Sequence, residues 1–135
     1  MPPRMPGRVV FFLQRGSFEP AFQAATMGLT AAAMGDEVHF VFAWDALRGL
    51  VRVSFGLPET DRERIEQSRA EGLGLPSPMK MLQEARGLGA RLIACDTTVR
   101  VCGFDPAELQ GHHLDEVLGL PSIWRLTEGA RVVSL

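Results

Sequence analysis

Apolar and polar residues follow each other along the chain in short blocks that predict five strands separated by helices. The strands are the Val-, Phe-, Ile- and Leu-rich runs at 9–13, 37–42, 91–95, 113–117 and 130–135. Continuous apolar runs are typical of strands buried on both faces of a parallel sheet. Helices are predicted at 19–34, 60–71, 78–87, 97–102, 105–109 and 121–127, with a loop and a short helix at 43–50. This alternation predicts a single-domain α/β protein, a three-layer α/β/α fold with a mainly parallel five-stranded sheet.

Residues that begin and end helices lie where this pattern needs them. Ser17 is predicted to cap the first helix, and Gly35 to end it. Ser77 followed by Pro78 is a typical helix start. The segment 60–63 has the Thr-x-x-Glu pattern of a capping box, which predicts a short exposed helix.

One domain is expected to span residues 1–135. Residues 1–7, which contain three prolines, are predicted to be a flexible N-terminus. The charge-rich stretch 52–77 is predicted to be a variable excursion from the domain, with mobile loops on either side of its short helix.

Composition and charge exclude several classes of partner. A net charge of −2 and the absence of a clustered basic surface argue against nucleic acid. No apolar run is long enough to span a bilayer, and no apolar segment of a secretory signal follows the start, so we expect a cytoplasmic protein without membrane insertion. Two cysteines and the adjacent His112 and His113 have poor spacing for a metal site, and no nucleotide-binding motif is present, so neither metal nor cofactor is predicted.

The carboxyl ends of the predicted strands bring four segments together, 14–18, 43–45, 95–98 and 119–122. Ligands of open parallel sheets bind at this edge. Cys95 is the strong nucleophile among these residues, and it directly precedes the start of a predicted helix, where a thiolate gains hydrogen bonds and a favourable dipole. Asp96 would oppose this effect if its carboxylate pointed at the sulfur. A free cysteine is also often simply a small buried residue.

Six residues are expected to line or support a site at Cys95: Gln14, Ser17, Trp44, Asp96, Thr97 and Thr98. Cys102 is a possible resolving cysteine. Seven helical residues place it about 10 Å from Cys95 along the axis, beyond the reach of a disulfide without backbone movement.

The segment 90–109 resembles the DsrE/DsrF-like superfamily, which includes the DsrE and TusD sulfur-relay proteins and small peroxiredoxin-like proteins. The stretch 89–104 reads GARLIACDTTVRVCGF. The family pattern has a strand ending in Ala-Cys, a short helix and then Gly with an apolar residue. The Ala-rich helix before Gly35, the aromatic Trp44 after the second strand and the Gly119–Leu120 tail are also similar.

The resemblance implies a homotrimer or hexamer, and a cysteine that carries a persulfide and passes sulfur to a partner. That role would fall on Cys95, with sulfur donor and acceptor proteins as partners and sulfurtransferase-like thiol chemistry as the activity, if the protein is an enzyme. Two alternatives stay open. One is a thiol redox protein that uses Cys95 with Cys102 or a partner thiol, and the other is a non-catalytic oligomeric binding module.

Overall fold

The computed structural model describes residues 6–109 and 114–135. The elements in chain order are β1 Arg8–Leu13, α1 Phe18–Ala33, β2 Glu37–Phe42, α2 Trp44–Val51, α3 Asp61–Gly72, α4 Pro78–Gly87, β3 Arg91–Cys95, α5 Asp96–Val101, α6 Pro106–Leu109, β4 Glu116–Leu118, α7 Leu120–Leu126 and β5 Arg131–Ser134. The predicted flexible segment 1–7 lies mostly outside the described residues, as do His112 and His113.

The five strands form one parallel sheet in the order β4-β3-β2-β1-β5. The predicted α/β architecture is therefore confirmed. Strands β2 and β3 coincide with the predicted runs 37–42 and 91–95, because both are apolar blocks bounded by glycine or charged residues.

Side chains alternate between two faces of the sheet, which we call the front and back faces. The front face carries the larger core, in which Phe11, Phe40 and Leu92 pack under α1, α2 and α4. The back face carries a smaller cluster of Val10, Val41, Ile93, Cys95 and Ile123.

Among the described residues, α7 is the helix that contributes to the back cluster, through Ile123. This helix connects β4 to β5, which are at opposite edges of the sheet. It has seven residues and is about 10 Å long, whereas the sheet is about 19 Å wide between the axes of those strands. The back face is consequently only partly covered by described helices.

The fourth strand differs from its prediction at 113–117. It is observed at Glu116–Leu118, and residue 113 lies outside the described chain. The shift has a visible cause in Asp115, whose backbone N–H donates to the Leu92 carbonyl at 2.8 Å while its Oδ2 accepts from the Leu92 N–H at 2.8 Å. A carboxylate thus takes the place of a backbone carbonyl, and the regular ladder begins one residue later.

The first helix also begins differently from the prediction. Ser17 occupies the N-cap position, but its side chain makes no capping hydrogen bond to the described residues of α1. The Glu63 carboxylate from α3 accepts from the Glu19 N–H instead, at 2.6 Å. Gly35 ends the helix as predicted, with φ of 92°.

The excursion 52–77 is joined to the domain at both of its ends. Half of the predicted capping box is formed, since the Thr60 hydroxyl accepts from the Glu63 N–H at 3.1 Å. The Glu63 carboxylate accepts from the N–H groups of Glu19 and Glu59 and not from that of Thr60. Before the helix, the Gly56 N–H donates to the Gly16 carbonyl at 2.8 Å. A Cβ at Gly56 would lie 2.8 Å from the ring of Pro78, so the chain passes here with no room for a side chain.

Candidate functional site

Three neighbouring strands end side by side at the carboxyl edge of the sheet. The Ala43 N–H that follows β2 donates to the Leu13 carbonyl of β1 at 2.9 Å, and the Ala46 N–H of α2 donates to the Gln14 carbonyl at 3.2 Å. Cys95 is the last residue of β3 and the N-cap residue of α5. The predicted change from strand to helix at Cys95 is therefore observed.

The Cys95 side chain points to the back face of the sheet. It pairs in register with Leu118 of β4 and packs in the cluster with Ile93 and Ile123. The residue is 8% exposed, and its thiol makes no capping hydrogen bond to the described residues of α5. The thiol thus lies on an apolar floor near the surface, a position that serves packing and also allows chemistry.

The carboxylate of Asp96 is turned toward the surface and away from the strand. Its Oδ2 and Oδ1 accept from the Arg100 Nε at 3.0 and 3.2 Å, an i,i+4 pair on α5. The arginine is 71% exposed, so the pair adds little to stability. Its effect is local, because it partly neutralises the negative charge next to Cys95.

Thr97 and Thr98 point in different directions from the start of α5. Thr97 is exposed, whereas Thr98 is buried and next to Val99, which packs into the front core. Thr98 also accepts from the Cys102 N–H through its carbonyl, at 2.8 Å. Of this pair, Thr97 is the residue that solvent can reach.

Of the other three predicted residues, Gln14 and Trp44 follow β1 and β2 at the same edge. Gln14 is exposed, and Trp44 begins α2 with φ of 48° and is 41% exposed. A positive φ is uncommon for an aromatic residue and indicates a position imposed by its surroundings. Ser17 lies in a different place, a polar cleft of about 560 Å³ on the front side between α1 and α3. There its hydroxyl lies near the Glu63 carboxylate, away from Cys95.

Cys102 follows the last residue of α5 and is partly exposed. Both cysteines are free thiols in the described part of the chain. The helix between them spans six residues, so the helical rise places the two residues about 10 Å apart. The structure does not bring Cys102 to Cys95.

The sequence analysis missed an apolar surface on the back face, beside the Cys95 cluster. Leu120 is 55% and Trp124 74% exposed, and together with Phe12, Pro121 and Ile123 they line a cavity of about 510 Å³. Ile123 belongs to this surface and to the Cys95 cluster, so the two are continuous. The spacing of four residues between Leu120 and Trp124 in a short helix was the available signal.

A row of charges at the amino ends of the strands was also missed. Arg8 of β1 and Glu37 of β2 form an ion pair, and the His39 Nε2 lies 3.4 Å from the Glu37 Oε2. The hydrogen bond from Arg8 lowers the pKa of the Glu37 carboxyl. Next to this pair, Arg91 Nη2 lies 3.3 Å from Glu116 Oε1. This row is far from Cys95, at the opposite ends of the strands.

The described residues contain no group of three or more His, Cys, Asp or Glu side chains placed to hold a metal ion. Within the same residues, no helix is both long and apolar enough to cross a membrane.

Comparisons with known proteins support the fold. No family model matches the chain, and no curated protein matches it. A solved structure of a conserved protein of unknown function from Bacteroides thetaiotaomicron is similar over 95% of this chain and 94% of its own, with a TM-score of 0.62 and 11% identity. At that identity the similarity shows a shared α/β fold over nearly the full length of both chains.

Proposed function

We propose that the protein is a cysteine-based sulfur carrier in which Cys95 holds a persulfide. The observation that carries the proposal is the position of this thiol, at the carboxyl end of the interior strand β3 and continuous with the exposed apolar surface of α7. The resemblance of the segment 90–109 to the DsrE/DsrF-like superfamily supports the same role.

The transfer needs two balanced steps. The Cys95 thiolate attacks the outer sulfur of a donor persulfide, so that a sulfur–sulfur bond forms on Cys95, the donor's sulfur–sulfur bond breaks and the donor leaves as a thiolate. An acceptor thiolate then attacks the outer sulfur on Cys95, takes it over and releases Cys95 as a thiolate again. No net oxidation occurs, and no second cysteine of the chain takes part.

The surroundings of Cys95 fit a carrier. An apolar floor limits the access of water to a persulfide, and the pairing of Asp96 with Arg100 reduces the repulsion of an anionic donor. Such thiol chemistry is suited to a reducing compartment, which favours the cytoplasm. By resemblance, the protein would work as a homotrimer or hexamer, with donor and acceptor proteins as partners.

The test is sulfur uptake by the folded protein. The protein is incubated with glutathione persulfide, free thiols and persulfides are alkylated, and peptides are searched for an added sulfur of about 32 Da. We expect the adduct on the Cys95 peptide, lost in Cys95→Ala and retained in Cys102→Ala. An unmodified Cys95, or uptake by Cys102 alone, would show that the proposal is wrong. Loss of the adduct in Cys102→Ala would favour the thiol redox alternative.

A further inference from the structure

The outer edge of β5 is an open strand edge in the described part of the chain. Leu135 directs both backbone groups at β1, since its N–H donates to the Phe12 carbonyl and its carbonyl accepts from the Gln14 N–H, each at 2.9 Å. Alternate residues of a strand direct their groups to the same side, so Val132 and Ser134 direct theirs outward. Val132 is 50% exposed and Ser134 is exposed.

This edge is less protected than the other edge of the sheet. Edge strands are normally kept from pairing by short length, prolines, lysines or bulges. The other edge strand, β4, has three residues, and its first, Glu116, carries a charge. β5 is regular over four residues, and Arg131 is its single charge.

Apolar grooves lie on both faces beside the open edge. On the front, a groove of about 420 Å³ between α1 and β5 is lined by residues that include Val9, Met27, Met34 and Val133. On the back, the cavity at Trp124 reaches Phe12, which pairs in register with Ser134. An added strand could place alternate side chains into both.

The helix that borders the front groove has the composition of an interface. After Glu19, α1 contains no charged residue. Its exposed stripe of Gln23, Met27, Thr30 and Met34 is uncharged and lines the groove, with Met27 38% and Met34 62% exposed. Depletion of charge and enrichment in methionine are typical of the central part of a protein interface.

We propose that the β5 edge pairs with the same edge of a second copy, antiparallel about a two-fold axis, to form one continuous sheet. The outward groups of Val132 then pair with those of Ser134 in the partner, and Val133 faces its own copy across the axis. Strand pairing alone buries too little for a stable dimer, which needs about 800 Å² from each partner, and the two grooves and the α1 stripe extend the contact.

Charge complementarity selects a second copy as the occupant. In this register Arg131 of one chain lies opposite Leu135 of the other, on the front side. Leu135 lines the polar cleft that holds three glutamates and two arginines, a net charge of −1: Glu19, Glu59, Glu63, Arg15 and Arg62. Arg62 pairs with Glu19 at 2.8 Å. Neither Arg131 nor Glu59 has a side-chain ion pair within residues 6–109 and 114–135. The dimer brings these charges together.

The test measures assembly mass by sedimentation velocity across a concentration series. Wild type is expected to be an even-numbered assembly, and Val132→Pro to halve its mass. Proline removes an outward N–H that makes no bond to β1, which an edge strand tolerates. Leu88→Lys, at an exposed site on the far side of β2, is the control and should leave the mass unchanged.

A charge exchange keeps the test decisive if the proline variant does not fold. Arg131→Glu should weaken association at least about tenfold, and adding Glu59→Arg should restore it. The proposal is wrong if the wild type is monomeric or trimeric, or if adding Glu59→Arg does not restore the association lost in Arg131→Glu. Binding of an extended peptide to the edge would not change that conclusion. Cys95→Ala should keep the wild-type mass, so the sulfur-carrier proposal and this one fail separately.

Discussion

The Glu63 carboxylate joins α3 to the beginning of α1, and its removal should be among the most destabilising polar substitutions in the chain. Glu63 is 3% exposed, and its two oxygens accept from the Glu19 N–H at 2.6 Å and the Glu59 N–H at 3.0 Å. Because the Ser17 side chain does not cap α1, this carboxylate supplies the acceptor for the Glu19 N–H in the first turn of the helix.

The magnitude follows from the groups left without a partner. Glu63→Ala removes the acceptor of two backbone N–H groups, each worth about 1–3 kcal/mol when left unsatisfied, so we expect a loss of about 2–6 kcal/mol. Glu63→Gln keeps the shape and one acceptor oxygen but turns an N–H₂ toward a donor, and about 1–2 kcal/mol should be lost. Total stability of such domains is about 5–15 kcal/mol, so both changes are measurable.

The effect has a defined dependence on pH. Burial would raise the pKa of the Glu63 carboxyl, but hydrogen bonds from Glu19, Glu59 and Ser17 outweigh it and lower the pKa below the ordinary 4.5. The unfolded chain binds the proton more tightly than the folded one. The stabilisation is therefore fully present above the ordinary pKa and is lost as the pH falls through the lower folded value.

The assay is urea unfolding of wild type, Glu63→Gln and Glu71→Gln, which changes an exposed carboxylate on the same helix. Near neutral pH, Glu63→Gln should shift the midpoint strongly and Glu71→Gln hardly at all. The gap between wild type and Glu63→Gln should narrow in acid below about pH 4.5. Equal effects of the two substitutions, or a gap that persists unchanged in acid, would refute the reasoning.

Four further substitutions test other parts of the structure. Gly28→Ala should lower the free energy of unfolding, measured in urea, by at least about 2 kcal/mol because its Cβ would overlap the Phe40 ring. Gly87→Ala should raise the same free energy by about 0.5–1 kcal/mol because its Cβ would meet no described atom within 4 Å. Asp115→Ala should cost about 2–3 kcal/mol and speed amide exchange at β3, because Leu92 loses its acceptor. Arg100→Ala should slow sulfur uptake from an anionic donor about two- to fivefold, measured by the rate of persulfide formation, and an unchanged rate would remove the role assigned to the ion pair.

Four of the five strands and the place of Cys95 could be predicted because local signals determine them, whereas β4 is displaced by the contact of Asp115 with Leu92. The run 91–95 is apolar and is followed by residues that start a helix, so one stretch of sequence contains both the strand and its end. The same holds for the helix start at Thr60, whose hydroxyl caps α3 as the local pattern predicts.

The features that could not be predicted depend on partners distant in sequence. Glu63 bonds to Glu19, 44 residues earlier, and Asp115 bonds to Leu92, 23 residues earlier. No local pattern distinguishes these carboxylates from solvated ones. The openness of the β5 edge is of the same kind, because it depends on the order of the strands and not on the composition of β5.

The same distinction applies to the chemistry of Cys95. Local sequence predicts a thiol before a helix start, and Asp96 was the uncertain element. The structure turns that carboxylate to Arg100, so its charge does not oppose a thiolate directly. What limits reactivity is then access, since Cys95 is 8% exposed and shares its cluster with Ile123 of α7. A donor or acceptor that binds the exposed Leu120 and Trp124 contacts the helix that covers the thiol. In a carrier, docking at this surface and exposure of the sulfur would therefore be one event, which explains how a thiol can be protected from solvent and still be passed to a partner.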